Sequence, residues 1–402
     1  MITTTNTTIR PSLQWMRYGS IDYRLWNKES KPGIEKLPII ATDLDHTLVK
    51  PKGRRKFARN GDDWQWIPGV KEKLLAFLKS YRIIIITNQK STPKKKLLNA
   101  NIARQRIDKM ESDLGINEVL EAVVLTGNDV FRKPSPFIWS FLRKYTEQKP
   151  EDIIYIGDAA GRTGDFSDSD LKLSLNLKMK FSTPEVAYQD QKPTPLPAPI
   201  KPEDMVKKLT KGFTPEQIAT TYSPTIIGGK RFVIIMVGYP GSGKSTFSRK
   251  LASAIDGEKV LVFTRDQFTT KKKYLAEINN AMLQGKSVII DMMNPSNENR
   301  QPWIDLATTY KASSLILEMN TTKELSLHMN RVRQKMAFTE SIKKGLSLEE
   351  SLKFSNKELK PEFPYRMFER TYQSPVNSFD VAFNPPDQKT QPLMYAYFTQ
   401  FT

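Results

Sequence analysis

From Leu37 onward, short apolar runs alternate with stretches in which apolar residues recur at helical spacing. Four runs have the length and composition of buried strands: LPIIATDLD (37–45), RIIIITN (82–88), EAVVLTG (121–127) and DIIYIGD (152–158). Three segments have the pattern of helices: VKEKLLAFLKS (70–80), residues 94–114 and SPFIWSFLRKY (135–145). Strands that alternate with helices predict a doubly wound parallel sheet. Residues 1–36 are polar with scattered aromatics, and no regular structure is predicted there.

A second alternation of the same kind begins at Arg231, after a change in composition. Residues 191–204 carry five prolines in fourteen positions, which predicts an extended, semi-rigid connector. Beyond it, four runs predict strands: RFVIIMVG (231–238), KVLVF (259–263), KSVIID (286–291) and SSLILEM (313–319). The sequence therefore predicts an α/β protein with two doubly wound domains. Its predicted parts are an N-terminal extension (1–36), a first domain (37–190), a proline-rich linker (191–228) and a second domain (229–402).

Composition narrows the class of protein. With 402 residues, the chain is too long for one ordinary domain and suits two. Its 62 Lys and Arg against 43 Asp and Glu leave a net charge of +19, which is typical of proteins that meet a polyanion. The absence of cysteine excludes a disulfide framework, a zinc finger and a thiol nucleophile. The longest apolar runs, such as Phe232–Val237, are too short to span a bilayer, so no membrane partner is expected.

The second half contains a phosphate-binding loop motif between a predicted strand and a predicted helix. The motif G-x-x-x-x-G-K-[ST] consists of Gly238, Tyr239, Pro240, Gly241, Ser242, Gly243, Lys244 and Ser245, and Thr246 follows it. Backbone N–H groups and the helix N-terminus would bind the phosphates. Lys244 would reach the β- and γ-phosphates, and Ser245 would bind Mg²⁺. The alternative is a glycine-rich turn that binds nothing.

Other polar residues follow the later strands of this half. Asp266 could take the proton from an acceptor hydroxyl, or it could be a surface residue. Asp291 could lie on the Mg²⁺ side of the site, or it could simply precede a helix, and Asn294 with Pro295 is also a common turn. Arg331 and Arg333 could close over the phosphates as a lid, and a solvated helix face is the alternative. No N-K-x-D motif is present, which disfavours a GTPase.

In the first half, two carboxylates follow a buried strand directly. Asp43 and Asp45 are two positions apart, so the end of the strand directs both side chains to the same site. One Asp can attack phosphorus to form an aspartyl phosphate, and the other can protonate the leaving oxygen and later activate water. Neighbouring anions of this kind imply Mg²⁺. A capped turn from strand to helix could produce the same short D-x-D-x-T pattern.

Three further pieces occur in order after these carboxylates, at or near predicted strand ends. Thr87 and Asn88 offer a hydroxyl and an amide to a phosphate, Lys133 offers a cation, and Asp158 could complete a metal site. An acidic run follows, made up of Asp165, Asp168 and Asp170. A solvated loop is favoured for this run over a role in the site.

These motifs resemble two known families. The order D-x-D-x-T, Thr-Asn, Lys-Pro, Gly-Asp resembles the haloacid-dehalogenase-type phosphatases, and the second half is similar to P-loop nucleotide kinases. Strings across the chain are similar to the eukaryotic polynucleotide kinase 3'-phosphatase family: ITNQ (86–89), FRKP (131–134), GDAAGR (157–162), DFSDSD (165–170), NLKMKFSTPE (176–185) and GYPGSGKST (238–246). The resemblance implies an enzyme that removes 3'-phosphates from DNA ends and phosphorylates 5'-hydroxyls with ATP.

The resemblance also implies roles for single residues. In the phosphatase, Asp43 would be the nucleophile and Asp45 the general acid and base. The implied Mg²⁺ ligands are Asp43, the Asp45 carbonyl and Asp158, and the implied phosphate ligands are Thr87, Asn88 and Lys133, with Lys133 also catalytic. In the kinase, the implied catalytic residues are Asp266, Arg300 and Arg333, with Arg331 and Arg333 on ATP and a second Mg²⁺ at Ser245. Two positions depart from the family pattern: His46 replaces the usual Gly, and Met293 replaces a common Thr.

Partners and location follow from the same resemblance. DNA nicks, gaps and breaks with 3'-phosphate and 5'-hydroxyl ends are the expected substrates, in the nucleus, and a monomer is expected. Repair proteins could be partners, but about 36 residues precede the first predicted strand, so we do not expect the forkhead-associated domain of mammalian members, which is about a hundred residues long. Basic residues could track nucleic acid, namely Arg54, Arg55, Lys56, Arg59, 94–96 and 271–273. Trp64 and Trp66 could stack on bases or pack in the core.

Three alternatives stay open at this point. The same chemistry could act on RNA ends, since contacts to a 2'-hydroxyl leave no visible motif. The chain could be a DNA-binding scaffold with catalytically vestigial domains, which the intact motif residues disfavour. A fused phosphatase and kinase for small molecules is disfavoured by the net charge of +19.

Overall fold

The computed structural model describes residues 13–89, 96–207, 212–227, 231–360, 363–376 and 378–381. These residues form two compact units. The first unit contains the described residues up to Pro199 together with Ala337–Asn356. The second unit contains Ile200–Met336 and the described residues from Lys357 onward. No helix of the described ranges is long and apolar enough to cross a membrane.

The described elements have the following bounds. The strands are β1 (Met16–Tyr18), β2 (Ile21–Arg24), β3 (Ile39–Thr42), β4 (Val49–Lys50), β5 (Gln65–Trp66), β6 (Arg82–Asn88), β7 (Leu120–Leu125), β8 (Ile154–Ile156), β9 (Lys180–Ser182), β10 (Phe232–Val237), β11 (Val260–Thr264), β12 (Ser287–Asp291), β13 (Ser313–Met319) and β14 (Ser378–Val381). The helices are α1 (Val70–Phe77), α2 (Lys96–Asp113), α3 (Ile138–Leu142), α4 (Ser169–Leu177), α5 (Pro184–Gln189), α6 (Pro202–Lys207), α7 (Pro215–Ile227), α8 (Lys244–Asp256), α9 (Lys271–Leu283), α10 (Asn297–Thr309), α11 (Lys323–Lys343), α12 (Leu348–Glu358) and α13 (Phe363–Thr371).

The sheet of the first unit has the strand order β1-β2-β7-β6-β3-β8-β9. The strands from β7 to β9 in this order are parallel, and β3 pairs with β6 on one side and with β8 on the other. The consecutive isoleucines of β6 are all buried, and they contribute to separate apolar clusters. Because parallel strands end at one edge, the polar residues after β3, β6 and β8 meet there. This confirms the predicted α/β fold.

The segment before β3 differs from the prediction. The sequence predicts no regular structure over residues 1–36, but β1 and β2 form an antiparallel hairpin that pairs with β7. Residues of β2 alternate between apolar and polar, but all four are buried, Asp22 and Arg24 among them. Arg24 is buried because it pairs with Asp108 and Glu111 of α2. The hairpin thus depends on distant partners, which local periodicity does not reveal.

The second sheet is wholly parallel, with the order β11-β12-β10-β13-β14. The phosphate-binding loop follows the central strand β10, and Asp266 and Asp291 lie at the ends of the adjacent β11 and β12. Within the predicted linker, residues 191–201 have no regular structure, but the rest contains α6 and α7. Helix α7 packs against α8, so this segment belongs to a folded unit and not to a connector.

The first unit also draws on residues far along the chain. Phe338 of α11 packs edge-on against Phe131 and Phe137, and Leu352 of α12 joins the same apolar cluster. Their partners flank Lys133 in sequence, so this packing supports the loop that carries it.

A buried ion pair holds the strands of the first sheet to the segment before β3. The Arg82 side chain donates from Nε and Nη2 to the Glu121 carboxylate at 2.8 and 2.7 Å, and both side chains are 2% exposed or less. Arg82 Nη1 also donates to the carbonyls of Ile34 and Tyr145, and the Trp26 backbone N–H donates to Glu121. The pair is satisfied on both sides, as burial of two charges requires.

We expect Arg82→Met to lower the free energy of unfolding by about 3–5 kcal/mol, because it leaves the Glu121 carboxylate buried without its cation. Urea unfolding followed by tryptophan fluorescence measures this, since most tryptophans lie in the first unit. The matched control is Lys73→Met, which breaks an exposed pair with Asp190 and should change stability by about 0.5 kcal/mol or less. Equal effects of the two substitutions would contradict the prediction.

Candidate active sites

The first site forms where β3, β6 and β8 end. Asp43 follows β3, and its backbone N–H donates to the Ile156 carbonyl of β8 at 2.9 Å. Asp158 follows β8, and Thr47 Oγ1 bridges to it by donating to Oδ1 at 3.0 Å. Asn88, at the end of β6, binds the Lys133 backbone through both of its amide atoms, at 3.0 and 3.1 Å. Asn88 thereby fixes the loop of Lys133, and its phosphate-binding role stays a prediction.

The Lys133 ammonium is the centre of this site. It donates to Asp43 Oδ1 at 2.6 Å, to Asp170 Oδ1 at 2.7 Å and to the Tyr155 hydroxyl at 2.9 Å. The Lys133 side chain is 2% exposed. A single buried cation therefore joins the predicted nucleophile to a second carboxylate.

Three carboxylates surround one position of this site. Asp43, Asp158 and Asp170 each offer an oxygen, and these oxygens lie within 4.8 Å of one another. One ammonium does not balance three carboxylates, and a cluster of carboxylate oxygens is the donor set that Mg²⁺ prefers. The residues present therefore fit the Mg²⁺ that the sequence implies, with Asp170 as an additional ligand.

The acidic run that contains Asp170 is not the solvated loop favoured from the sequence. Asp170 and Asp168 are buried, and Asp168 pairs with the buried Lys172 at 2.5 Å. Asp165 accepts hydrogen bonds from the Arg162 side chain and from backbone N–H groups. The reason is tertiary: α4 begins at Ser169 and directs Asp170 toward Lys133.

Electrostatics at this site favour protonated carboxylates when no metal is bound. Burial raises the pKa of Asp43 to about 8; the Lys133 ammonium opposes this, and the Asp170 and Asp158 carboxylates add to it. Burial and the Asp170 carboxylate raise the pKa of Asp158 to about 7. Burial alone would lower the pKa of Lys133, but the Asp170 and Asp43 carboxylates raise it, so Lys133 stays charged.

Asp45 has a different environment, although it is only two positions from Asp43. Arg106 donates to its Oδ1 at 2.5 Å and to its Oδ2 at 3.3 Å, and Gln89 donates to Oδ2 at 2.8 Å. Burial raises the pKa of Asp45, but the Arg106 guanidinium and the Gln89 amide outweigh it and hold that pKa below its ordinary value. Sequence reasoning missed Arg106, because it lies in the middle of α2 with no motif around it. The same Gln89 amide binds Thr87 Oγ1 at 3.0 Å, which joins Thr87 to this group.

His46, which stands where the family usually has Gly, has a backbone conformation that favours glycine. Its φ is +61°, in the left-handed region that favours glycine, and the family usually has Gly there. Its ring Nε2 lies 2.8 Å from the Lys56 carbonyl. The histidine therefore ties the loop of residues 51–64 to the site.

The second site surrounds the phosphate-binding loop. Gly241 has a φ of +80°, and a Cβ there would come 2.5 Å from the Ser326 carbonyl oxygen, so glycine is required. Lys244 Nζ folds back over the loop and donates to the carbonyls of Gly238 and Tyr239 at 2.9 and 2.6 Å. Burial lowers the pKa of Lys244 to about 8; the Asp291 carboxylate opposes this, and Arg333 adds to it.

Ser245 and Asp291 form the predicted metal side of this loop. Asp291 ends β12, and a hydrogen bond from Ser245 partly opposes the burial that raises its pKa. Asp291 Oδ2 is buried and has no hydrogen-bond partner among the described residues. An unsatisfied buried carboxylate oxygen beside the Ser245 hydroxyl fits a Mg²⁺ ion that would also bind ATP.

The other predicted kinase residues have these contacts. Asp266 is exposed and pairs with Lys360 at 2.8 Å, and Arg333 donates to the Glu358 carbonyl while its charge acts on Lys244. Arg300 is 1% exposed and donates to the carbonyls of Asn294, Pro295 and Gln373. Burial lowers the pKa of Arg331. Roles in catalysis for Asp266, Arg300, Arg331 and Arg333 stay predictions.

The two tryptophans considered for base stacking pack inward. Trp64 and Trp66 are partly buried against the apolar cluster under the first sheet, and their rings meet edge-on at 5.6 Å. The Trp66 indole N–H donates to Asp113 at 2.7 Å. Core packing therefore accounts for both. Of the basic runs, residues 94–95 lie outside the described residues.

We expect Mg²⁺ to raise Tm more at pH 8 than at pH 6. Between about pH 4 and pH 8, the folded metal-free protein binds a proton at Asp43 that the unfolded chain releases, so the metal-free fold loses stability as pH rises. Mg²⁺ competes with that proton and is favoured at the higher pH. Thermal unfolding with Mg²⁺ or EDTA at both values measures the difference. Asp43→Asn should reduce the pH dependence of this Tm shift, and the control Asp165→Asn should retain it. A larger Tm shift at pH 6 than at pH 8 would refute the assignment of Asp43 to the metal site.

Comparison with known proteins finds relatives for both halves of the chain. Residues 38–188 match the family described as "Polynucleotide kinase 3 phosphatase", and residues 233–347 match one described as "AAA domain". The chain is 32% identical to the bifunctional polynucleotide phosphatase/kinase of Schizosaccharomyces pombe, over 73% of this chain and 70% of that protein. It is 30% identical to a putative bifunctional polynucleotide phosphatase/kinase of Acanthamoeba polyphaga mimivirus, over 73% of this chain and 75% of that one. The polynucleotide 3'-phosphatase of Saccharomyces cerevisiae is 28% identical over 38% of this chain and 87% of its own length. The chain, with its carboxylate site and its phosphate-binding loop, belongs to the family of bifunctional polynucleotide phosphatase/kinases.

Proposed function

We propose that this protein makes broken DNA ends ligatable by removing 3'-phosphates and by phosphorylating 5'-hydroxyls with ATP. The observation that carries the proposal is the Lys133 ammonium between Asp43 and Asp170, in a chain that also has a complete phosphate-binding loop. The first site suits a phosphate monoester, and the second suits a nucleoside triphosphate. A nuclear location, a monomeric state and association with repair proteins belong to this proposal.

In the phosphatase reaction, an Asp43 oxygen attacks the 3'-phosphorus, and a new P–O bond forms as the P–O3' bond breaks. The electron pair stays on O3', which takes a proton from Asp45. Water then attacks the aspartyl phosphate, gives a proton to Asp45, and releases inorganic phosphate and the Asp43 carboxylate. Lys133 holds Asp43 in place and offsets the negative charge. Mg²⁺ at Asp43, Asp158 and Asp170, when bound, would neutralise the phosphoryl oxygens.

In the kinase reaction, Asp266 would take the proton of the 5'-hydroxyl as its oxygen attacks the γ-phosphorus of ATP. Asp266 is exposed at the end of β11, where a polynucleotide end can reach it. Lys244 and Arg333 would stabilise the charge that spreads over the transferred phosphoryl group. ADP leaves with the electron pair of the broken P–O bond.

A surface beside the first site suits a polynucleotide. The rings of Phe57 and Phe166 are 53% and 52% exposed and meet edge-on at 5.6 Å. Lys56 Nζ lies 3.9 Å from the Phe166 ring centroid. Phe57 lies on the loop that His46 ties to the site, and Phe166 lies between the metal-site residues Asp158 and Asp170. Exposed rings can stack on bases, and nearby cations can contact phosphates.

Single substitutions should separate the two activities. On a gapped DNA duplex with a 3'-phosphate and a 5'-hydroxyl, Asp43→Asn should lower phosphate release to below about a thousandth, because the nucleophile is lost. Lys244→Ala should lower 5'-phosphorylation about a hundredfold or more, because it removes a phosphate contact. Each variant should keep the other activity, and gel analysis of labelled ends measures both.

A matched RNA duplex tests the RNA alternative, and activity on RNA alone would overturn the DNA assignment. Loss of neither activity would overturn the site assignments.

Removal of the exposed rings should weaken substrate binding. We expect Phe57→Ala and Phe166→Ala to raise KM for a 3'-phosphorylated oligonucleotide about 5- to 150-fold, because stacking on a base is worth about 1–3 kcal/mol. Initial rates should show little change in kcat and none in the kinase reaction. Tyr81→Ala is the matched control, since Tyr81 is exposed at the opposite, amino end of β6. An equal change in KM for that control would argue against base stacking.

A further inference from the structure

The Asp45 carboxylate is bound by Arg106, a cation that belongs to no sequence motif. Both of its oxygens accept hydrogen bonds, from Arg106 Nη1 and Nη2 and from Gln89 Nε2. Its side chain is 15% exposed, and the Arg106 side chain is 2% exposed. The Nε atom of Arg106 has no hydrogen-bond partner among the described residues. The hydrogen bonds of the Arg106 guanidinium therefore go to Asp45. A carboxylate held by donors on both oxygens has a fixed orientation.

The two steps of the phosphatase reaction require opposite things of Asp45. In the first step the carboxyl group donates a proton to O3', and in the second the carboxylate accepts one from water. The contacts with Arg106 and Gln89 are those of the accepting form, because every partner is a donor. The observed geometry therefore matches the hydrolysis of the aspartyl phosphate.

We propose that Arg106 is a positioning residue for the second step, which orients the Asp45 carboxylate toward the water that hydrolyses the phosphoenzyme. The inference rests on the proposed roles of Asp43 and Asp45. In the step itself, a water oxygen forms a bond to phosphorus, its proton passes to Asp45, and the bond from phosphorus to the Asp43 oxygen breaks. Arg106 acts through the Asp45 carboxylate, which it holds, and has no role on the phosphorus or the water itself.

Each of the two neighbouring carboxylates of the site then has a cation of its own. Lys133 serves the nucleophile Asp43, and Arg106 serves the acid and base Asp45. The two cations come from separate elements, the loop after β7 and the middle of α2. Loss of Arg106 should therefore leave Asp43 and its attack on phosphorus largely intact.

Accumulation of the phosphoenzyme tests this proposal. The full-length protein with Mg²⁺ is mixed with an oligonucleotide that carries a ³²P-labelled 3'-phosphate, quenched in acid, and assayed over time for label bound to protein. We expect Arg106→Met to slow loss of the label about 10- to 100-fold, the range expected for partial loss of general-base action, while label appears at close to the wild-type rate. Bound label should therefore rise well above the wild-type level. Arg104→Met on the same helix is the matched control and should behave as wild type.

Several results decide the matter. An equal slowing of label appearance and label loss would overturn the proposal, since a merely structural role predicts it, and so would unchanged rates in Arg106→Met. Arg106→Lys keeps the positive charge and should accumulate less label than Arg106→Met. If Arg106→Met is unstable, Arg106→Lys replaces it in the experiment, and the proposal then requires that Arg106→Lys lose its label more slowly than wild type. Kinase activity of the same samples reports folding of the second unit. Absence of phosphate release by the wild type, or label on Asp43→Asn, would instead overturn the proposed function.

Discussion

The first site depends on one ammonium group held out of water. Lys133 Nζ binds Asp43, Asp170 and the Tyr155 hydroxyl, and none of these side chains is more than marginally exposed. In such surroundings a charge is stable only when it is paired, so the position of Lys133 requires the carboxylates and the carboxylates require Lys133. The remaining excess of negative charge is what a divalent cation would neutralise. The buried pairing and the proposed metal site thus have the same physical cause.

Several distant parts of the fold support this ammonium group. Asn88 at the end of β6 binds the Lys133 backbone, and the flanking Phe131 packs against Phe338 of α11. Asp170 reaches Lys133 because α4 begins one residue earlier. The group is therefore positioned by a strand end, a helix start and an apolar contact from much later in the chain.

The parallel sheets explain why one chain can hold two unrelated phosphate chemistries. In each unit the functional groups follow adjacent parallel strands, where side chains and backbone N–H groups converge at one edge. The first unit has carboxylates at that edge, which in the proposed reaction would attack phosphorus and hold a metal. The second has a glycine-rich loop and Lys244, which would bind phosphates without covalent chemistry. The fold supplies the edge, and the residues placed there decide the reaction.

The sequence by itself determined the two α/β sheets and the candidate residues in the segments that follow their strands, such as Asp43, Lys133 and Lys244. Apolar runs of strand length are local signals, and each motif lies beside one. Only the tertiary structure decided that Asp170 joins Asp43 and Asp158 and that Arg106 binds Asp45, because both contacts join residues that lie far apart in the sequence. The hairpin before β3 was hidden for the same reason, since its buried polar residues are satisfied by partners far along the chain. Local pattern records which residues avoid water, but the pairing of buried charges depends on distances that only the folded chain sets.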